Sequence, residues 1–379
     1  MIETKKLQSV PVNTPLLDGR EEEYLLECIR SGWISSEGPC VQQFEEAFSS
    51  KIGRRFGIAV SSGTAALEIA VRALEIGPGD EVILPTFTII SCAGAVVRTG
   101  GTPVVVDADP QTWNMDVAQI EAKITPNTKV IMPVHIYGLP VDMDPLLDLA
   151  ERYHLKIIED GAEAHGLKYK GRNCGTFGDL SIFSFYPNKL ITTGEGGMIL
   201  TDDENLAQRC KSLRNLCFQP KRRFVHEELG FNYRMTNLQA ALGLAQLQQW
   251  DRFLELKQNM GRTYTRLLKD IPGIQLPLEK TPYAQNGYWV YGLVLDESTG
   301  IDACEMMARL KEVNIGTRPF FWPMHQQPVF QKMSLFQNES CPVSERLARQ
   351  GFYIPSGLGL TEDQMDYVAR NLKRIVKNL

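Results

Sequence analysis

The chain has 379 residues, 43% of them hydrophobic and 22% charged, and carries a formal net charge of −5 at pH 7. That length can bury a large core and predicts one large α/β domain followed by a smaller one. The acidic balance excludes a broad nucleic-acid-binding surface, no apolar run is long enough to cross a bilayer, and Met1–Lys6 leads into no signal-type apolar stretch, so a cytoplasmic protein with no membrane partner is expected.

From about residue 56 strand-like and helical patterns alternate. Gly57–Val60 reads as a strand running into Ser61-Ser62-Gly63-Thr64, and Ala65–Leu74 then follows a helical period. A helix entered this way offers backbone N–H groups to an anion. Gly63 permits close approach and Thr64 adds a hydroxyl, although an ordinary Ser/Thr cap has the same wording. Glu81–Leu84 is the next strand, with Phe87 just past its end, either as a core ring or as an apolar face for a planar ligand. Thr102–Val106 and Val130–Val134 follow as strands, His135 ends the latter, and Pro145–Tyr153 reads as a helix.

Lys156–Glu159 has the composition of a buried parallel strand and ends at Asp160, with Glu163 and His165 close behind. Ligands in α/β sheets bind at such carboxyl ends, and an Asp there can equally cap a turn. Leu180–Ser184 and Met198–Thr201 bracket a polar, glycine-bearing turn that holds a single lysine, Lys189. A lysine that attacks a carbonyl must do so as a neutral amine, and partial burial on a turn lowers its pKa; the plainer alternative is a surface lysine. For His135 and His165, hydrogen-bonded positions lining a pocket fit better than proton transfer.

The alternation predicts a mostly parallel sheet with helices on both faces. Gln239–Arg266 reads as one long helix joining a large domain, residues 1–250, to a small α+β domain, residues 251–379. In the latter Tyr288–Leu295 is a strand and Asp302–Val313 and Thr361–Lys377 are helices. The eight cysteines form no C-x-x-C pair, and Cys92 and Cys210 sit in apolar helical surroundings. The five histidines have no metal-ligand spacing, so no metal is expected. Lys221-Arg222-Arg223, the densest basic cluster, reads as a solvated loop.

Anion-binding loop, aromatic ring, strand-end Asp and lysine, in that order, resemble the fold-type I pyridoxal phosphate (PLP) enzymes, whose large domain is aspartate aminotransferase-like. The wording of Gly32–Gly38, Asp107–Met115, Ser184–Gly197 and Thr317–His325 is similar to the DegT/DnrJ/EryC1/StrS sugar aminotransferases over nearly the whole chain. It is most similar to the branch that aminates C4 of a GDP-linked 4-keto-6-deoxy sugar.

The resemblance implies PLP as cofactor, L-glutamate as amino donor, a nucleotide sugar as substrate, and a homodimer with shared active sites. It implies that Lys189 bonds the cofactor and shuttles the proton, that Asp160 pairs with the pyridine nitrogen, and that Phe87 stacks on the ring. Glu163 would sit by the ring hydroxyl, where other branches carry Gln. Gly63, Thr64 and Ser184 would hold the phosphate, with Asn232 reaching it from the neighbouring subunit. Ser62 and Gly161 depart from commoner family residues without removing a required donor. A sister branch that removes a sugar hydroxyl carries His in place of this lysine, so Lys189 argues for amination. For the nucleotide sugar, the resemblance points to Trp33, His165 and the Arg318–His325 loop. There Arg318 suits pyrophosphate, Phe320 and Trp322 offer apolar faces, and His325 lies in the same segment.

Overall fold

The computed structural model describes residues 9–219 and 221–378; Met1–Lys6 lies outside the described residues. Among the described residues thirteen strands occur in chain order: β1 (Phe56–Val60), β2 (Glu81–Pro85), β3 (Thr102–Val106), β4 (Thr128–Ile131), β5 (Lys156–Asp160), β6 (Lys168–Tyr169), β7 (Arg172–Asn173), β8 (Leu180–Ser184), β9 (Gly197–Thr201), β10 (Ile274–Gln275), β11 (Tyr291–Leu295), β12 (Arg318–Pro319) and β13 (Gly351–Ile354). Seven form one sheet in the order β1-β9-β8-β5-β4-β2-β3. The pairs from β8 through β5, β4 and β2 to β3 are parallel, and β9 runs antiparallel to both its neighbours. The near-unbroken burial of consecutive residues in β1, β2, β5 and β8 marks strands covered on both faces.

The covering helices are α1 (Glu21–Ser31), α2 (Pro39–Ile52), α3 (Gly63–Ala73), α4 (Ser91–Arg98), α5 (Met143–Arg152), α6 (Glu204–Arg214) and α7 (Asn237–Gln248). Helix α3 is buried along almost its whole length, because Ala65, Ala66, Leu67, Ile69, Ala70 and Val71 fill the layer between the sheet and α4 and α6. Ser62 caps it by accepting from the Ala65 N–H at 3.1 Å.

A second, four-stranded antiparallel sheet, β10-β11-β13-β12, has its own core around Tyr264, Tyr291, Leu293, Phe352 and Leu372. It is flanked by α8 (Trp250–Leu268), α9 (Ala303–Glu312), α11 (Pro342–Gln350) and α12 (Glu362–Lys377), the last opened by a Thr361–Gln364 capping box, while the short α10 (Pro328–Lys332) sends Phe330 into the core of the large sheet. The N-terminal stretch crosses to this sheet: Val10 exchanges backbone hydrogen bonds with Asn314 and Gly316, and the Val12 carbonyl accepts from the Ser356 N–H at 2.9 Å.

The long helix expected over Gln239–Arg266 is two helices broken at Gln249. The turn there sinks Trp250 between Phe48 and His165, each 5.9 Å away ring to ring, and neither glycine nor proline marks it. The expected strand Tyr288–Leu295 begins only at Tyr291. Tyr288 lies in the left-handed region (φ 51°) with its ring packed where Gly261 of α8 leaves room; a Cβ at Gly261 would lie 2.2 Å from that ring. Among the described residues no helix is long and apolar enough to cross a membrane.

Candidate active site

The carboxyl ends of β1, β2, β5 and β8 meet the amino end of the antiparallel β9 along one edge, where a ligand is expected in an α/β sheet. A cavity of about 400 Å³ opens there, within the range of small-molecule sites. Gly63, Thr64, Asp160, Glu163, Ser184 and Lys189 all line it. Residues more than 120 positions apart in the chain therefore share one wall.

Gly63 and Thr64 are the first residues of α3, where backbone N–H groups have no partner inside the helix and the dipole favours an anion. The approach is tight. A Cβ on Gly63 would lie 2.8 Å from the Ser184 Cβ, and one on Gly197 would lie 2.5 Å from the Ser62 carbonyl oxygen. Both glycines are needed for α3 to close on β8 and β9. Thr64 Oγ1 lies 2.8 Å from Ser91 Oγ, at the start of α4.

Across the cavity, Asp160 is buried at the end of β5. Its Oδ1 accepts from the Ala162 N–H at 2.9 Å and its Oδ2 accepts from the Cys92 thiol at 3.4 Å. Burial raises its pKa, opposed by those two donors and by Lys189. Glu163 accepts from the Tyr137 N–H at 2.8 Å, and burial pushes it up to about 7 against the pull of Lys189 and that N–H. The Lys189 Nζ stands 3.5 Å from Glu163 Oε1 and 3.7 Å from the centroid of the Trp289 ring. Burial holds this amine below the ordinary lysine range, with Glu163 and Asp160 opposing. Neutral amine and neutral acid are the forms that burial favours, so burial brings the proton affinities of the two groups toward one another.

Two further anchors fix the lysine. The Asn188 carbonyl accepts from the Trp289 indole N–H at 2.8 Å and from the Asn13 side chain at 3.5 Å, tying the lysine's turn to the second sheet and to the N-terminal stretch. The Asn188 side-chain oxygen is buried without a partner beside the cavity. Trp289, Tyr353 and Phe321 complete the wall. Sequence reasoning singled out none of the three, because they reach the site by tertiary packing, although Phe321 lies in the Arg318–His325 loop and Trp289 near the start of a strand-like run.

Several residues expected at the site lie elsewhere. Phe87 is fully buried against Tyr137, Phe320 and Phe321 (5.8–6.3 Å between rings), and the cavity wall at this point is Thr88 and Ile89. The chain past β2 turns its ring into the aromatic core between the sheets rather than toward a ligand. Phe320 is buried in that same cluster, 4.6 Å from the Tyr137 ring, and its neighbour Phe321 faces the cavity instead. His165 is buried behind the lysine among Phe48, Phe183, Phe185 and Trp250, where burial and Lys189 lower its pKa to about 3. His325 is held between Thr86 Oγ1 (2.8 Å) and Glu345 Oε1 (3.0 Å), away from the cavity. These four aromatic or imidazole side chains are packing or bridging elements within the subunit.

Trp33 and Trp322 are half exposed, Asn232 is exposed on the loop before α7, and none of them lines the cavity within one chain. Arg318 is exposed too and forms no salt bridge among the described residues; it pairs in register with Tyr353, which does line the cavity. His135 is buried below β5, accepting from the Val141 N–H at Nδ1 (3.0 Å) and so donating from Nε2 to Glu159 (2.9 Å). Its ring, Glu159 and Cys174 bring ligand-type atoms within 4.8 Å of one another. The Glu159 carboxylate is already taken by the Gly175 and Phe177 N–H groups, so this cluster shapes the loop after β7.

The donor set fits PLP on three counts: a glycine cradle at a helix N-terminus for phosphate, a buried carboxylate whose burial a ring cation would offset, and a lysine held toward its neutral form. A family model for the DegT/DnrJ/EryC1/StrS aminotransferase family matches residues 15–373. The chain is 42% identical to a GDP-perosamine synthase of Caulobacter vibrioides over 98% of its length and 99% of that protein's. It is 41% identical to a GDP-perosamine synthase of Escherichia coli O157:H7, over 97% and 98%. Its fold is similar to Spr1654 of Streptococcus pneumoniae, solved in its PLP form (TM-score 0.91, 26% identical, covering 98% of this chain and 99% of that one). The chain belongs to the DegT/DnrJ/EryC1/StrS family and is a PLP-dependent sugar aminotransferase.

Proposed function

We propose that the enzyme transfers the amino group of L-glutamate to C4 of GDP-4-keto-6-deoxy-D-mannose, producing GDP-perosamine. The observation that carries this reading is the identity of about two residues in five to GDP-perosamine synthases over almost the full length of both chains. PLP, when bound, supplies an aldehyde that bonds amines and a ring that accepts electrons. In this reading Lys189 takes up and returns the proton, as its lowered pKa and its proximity to Glu163 permit. Asp160 keeps a ring nitrogen protonated, Glu163 faces the ring hydroxyl, and Gly63, Thr64 and Ser184 hold the phosphate.

The mouth of the cavity receives the nucleotide sugar. Arg318 is the natural partner of its pyrophosphate, because its guanidinium is exposed without a carboxylate and sits on the strand beside Tyr353. Asn232, Trp33 and Trp322 reach a site only if a second subunit brings them there, which favours a two-fold dimer with shared sites. The exposed Phe224 and Leu229, on the same loop as Asn232, support that assembly. The division into domains near residue 250 follows the break at Gln249 between the helices serving the two sheets. Eight free thiols fit a reducing cytoplasm.

The test is a panel of GDP-, dTDP- and UDP-linked 4-keto-6-deoxy sugars with glutamate, read by product mass. The GDP-linked sugar is expected to give by far the highest kcat/KM, and a preference for a dTDP- or UDP-linked sugar overturns the substrate assignment.

A further inference from the structure

The chain buries a second lysine close to the first. Lys257, on α8, is 2% exposed, forms no salt bridge among the described residues, and donates to the Trp289 carbonyl at 2.8 Å and the Ser356 carbonyl at 2.5 Å. A lysine buried away from any carboxylate is costly, and burial, with Lys189 adding to it, lowers its pKa to about 7, so its retention here needs a reason. The two carbonyls belong to the segment leading into β11 and to the turn after β13, so one amino group staples both to α8. Ser356 is fixed further: its N–H donates to the Val12 carbonyl and its hydroxyl accepts from the Tyr291 N–H at 2.9 Å.

Trp289 is thereby gripped at both ends. Its carbonyl is held by Lys257 and its indole N–H is held by the Asn188 carbonyl, one residue before Lys189. Between these grips its ring face lies under the Lys189 amine at 3.7 Å. Lys257, Trp289, Glu163 and His165 also share a small cavity behind that amine. We propose that Lys257 is a positioning residue of the reaction, acting through Trp289 to hold the dry wall against which Lys189 stays neutral. This rests on the reading of Lys189 as the reactive lysine and adds what keeps it so.

If Trp289 is released, water enters beneath the amine and relieves the burial that is the main cause of its lowered pKa. The groups facing the amine are Glu163 and Asp160, which favour its charged form, and Lys257 and His165 behind them. Entry of water, by either substitution, raises the titration midpoint of Lys189.

The experiment uses the full-length protein freed of cofactor. Labelling of Lys189 by trinitrobenzenesulfonate is followed by peptide mass spectrometry from pH 5 to 10, for the native protein, Lys257→Met, Trp289→Leu and the double variant, with thermal unfolding measured alongside. Lys257→Met and Trp289→Leu are each expected to raise the midpoint by about one unit, roughly tenfold less labelling at neutral pH, and the double variant to add nothing further. Lys257→Arg, which keeps charge and donors, should stay near the native midpoint. If Lys257→Met does not fold, Lys257→Gln replaces it in the cycle. A midpoint unmoved while unfolding temperature falls makes Lys257 merely structural and overturns the proposal, as do shifts that add in the double variant. If Lys189 of the native protein is not labelled ahead of other lysines, the reading of the active site fails instead.

Discussion

Replacing Gly63 by Ala puts one methyl group where the cavity closes. Gly63 does not lie in the left-handed region, so alanine fits its backbone and as a helix residue even gains about 0.5–1 kcal/mol. The cost is steric. The new Cβ would meet the Ser184 Cβ at 2.8 Å and its Oγ at 3.1 Å, roughly 1 Å inside an ordinary carbon contact. Overpacking of this kind costs about 1–3 kcal/mol. Because α3 can relax by moving away from β8, the cost falls on the alignment of the Gly63 and Thr64 N–H groups with Ser184, and the apo protein should remain nearly as stable as native. Spread over cofactor binding, about 1–3 kcal/mol weakens PLP affinity by roughly 5- to 150-fold. The assay is fluorescence titration of the apo protein with PLP, with Gly77→Ala as control, since a Cβ at Gly77 has no neighbour within 4 Å. A Gly63→Ala protein that binds PLP within twofold of native would show that Gly63 and Ser184 do not form the phosphate cradle.

Asp160→Asn keeps an acceptor for the Ala162 N–H, so it should fold and bind cofactor while losing well over tenfold in kcat, more than about 1.4 kcal/mol of barrier; a smaller loss counts against Asp160 as the ring partner. His165 titrates near 3 in the folded chain and near its ordinary value when unfolded, so between those values the unfolded state binds the extra proton and stability falls as pH drops. From pH 6.5 to 5 this amounts to about 2 kcal/mol, measurable in urea. His165→Phe should flatten the slope by that amount, and an unchanged slope refutes the assignment. Mixing inactive Lys189→Ala with an Asn232 variant disabled in cofactor binding should restore partial activity in hybrid dimers; a monomeric active enzyme would exclude shared sites.

Much of this architecture was legible in the chain. The seven strands of the large sheet follow apolar runs bounded by turn residues, and Gly63, Asp160 and Lys189 are marked by local chemistry at strand ends. What was not legible depends on which way a side chain turns after a strand stops. Phe87 and Thr88 are adjacent, yet packing of Phe320 and Tyr137 takes one into the core and leaves the other on the cavity wall. His325 looked like a ligand of the substrate loop, but Glu345, twenty positions away, takes its ring. Trp289 and Lys257 matter through contacts to residues 32 to 101 positions distant, which no local pattern encodes. The break at Gln249 likewise follows from burying Trp250 and not from a helix-stopping residue.

Borohydride reduction of the enzyme loaded with PLP, followed by peptide mass mapping, tests the central claim most directly, because it fixes the cofactor to whichever amine it has bonded. Among the described residues two deeply buried lysines have lowered pKa values, Lys189 and Lys257, so the result discriminates between them. The account predicts stoichiometric modification of Lys189 alone. Modification of Lys257 or of a surface lysine, with Lys189 recovered unlabelled, would contradict it.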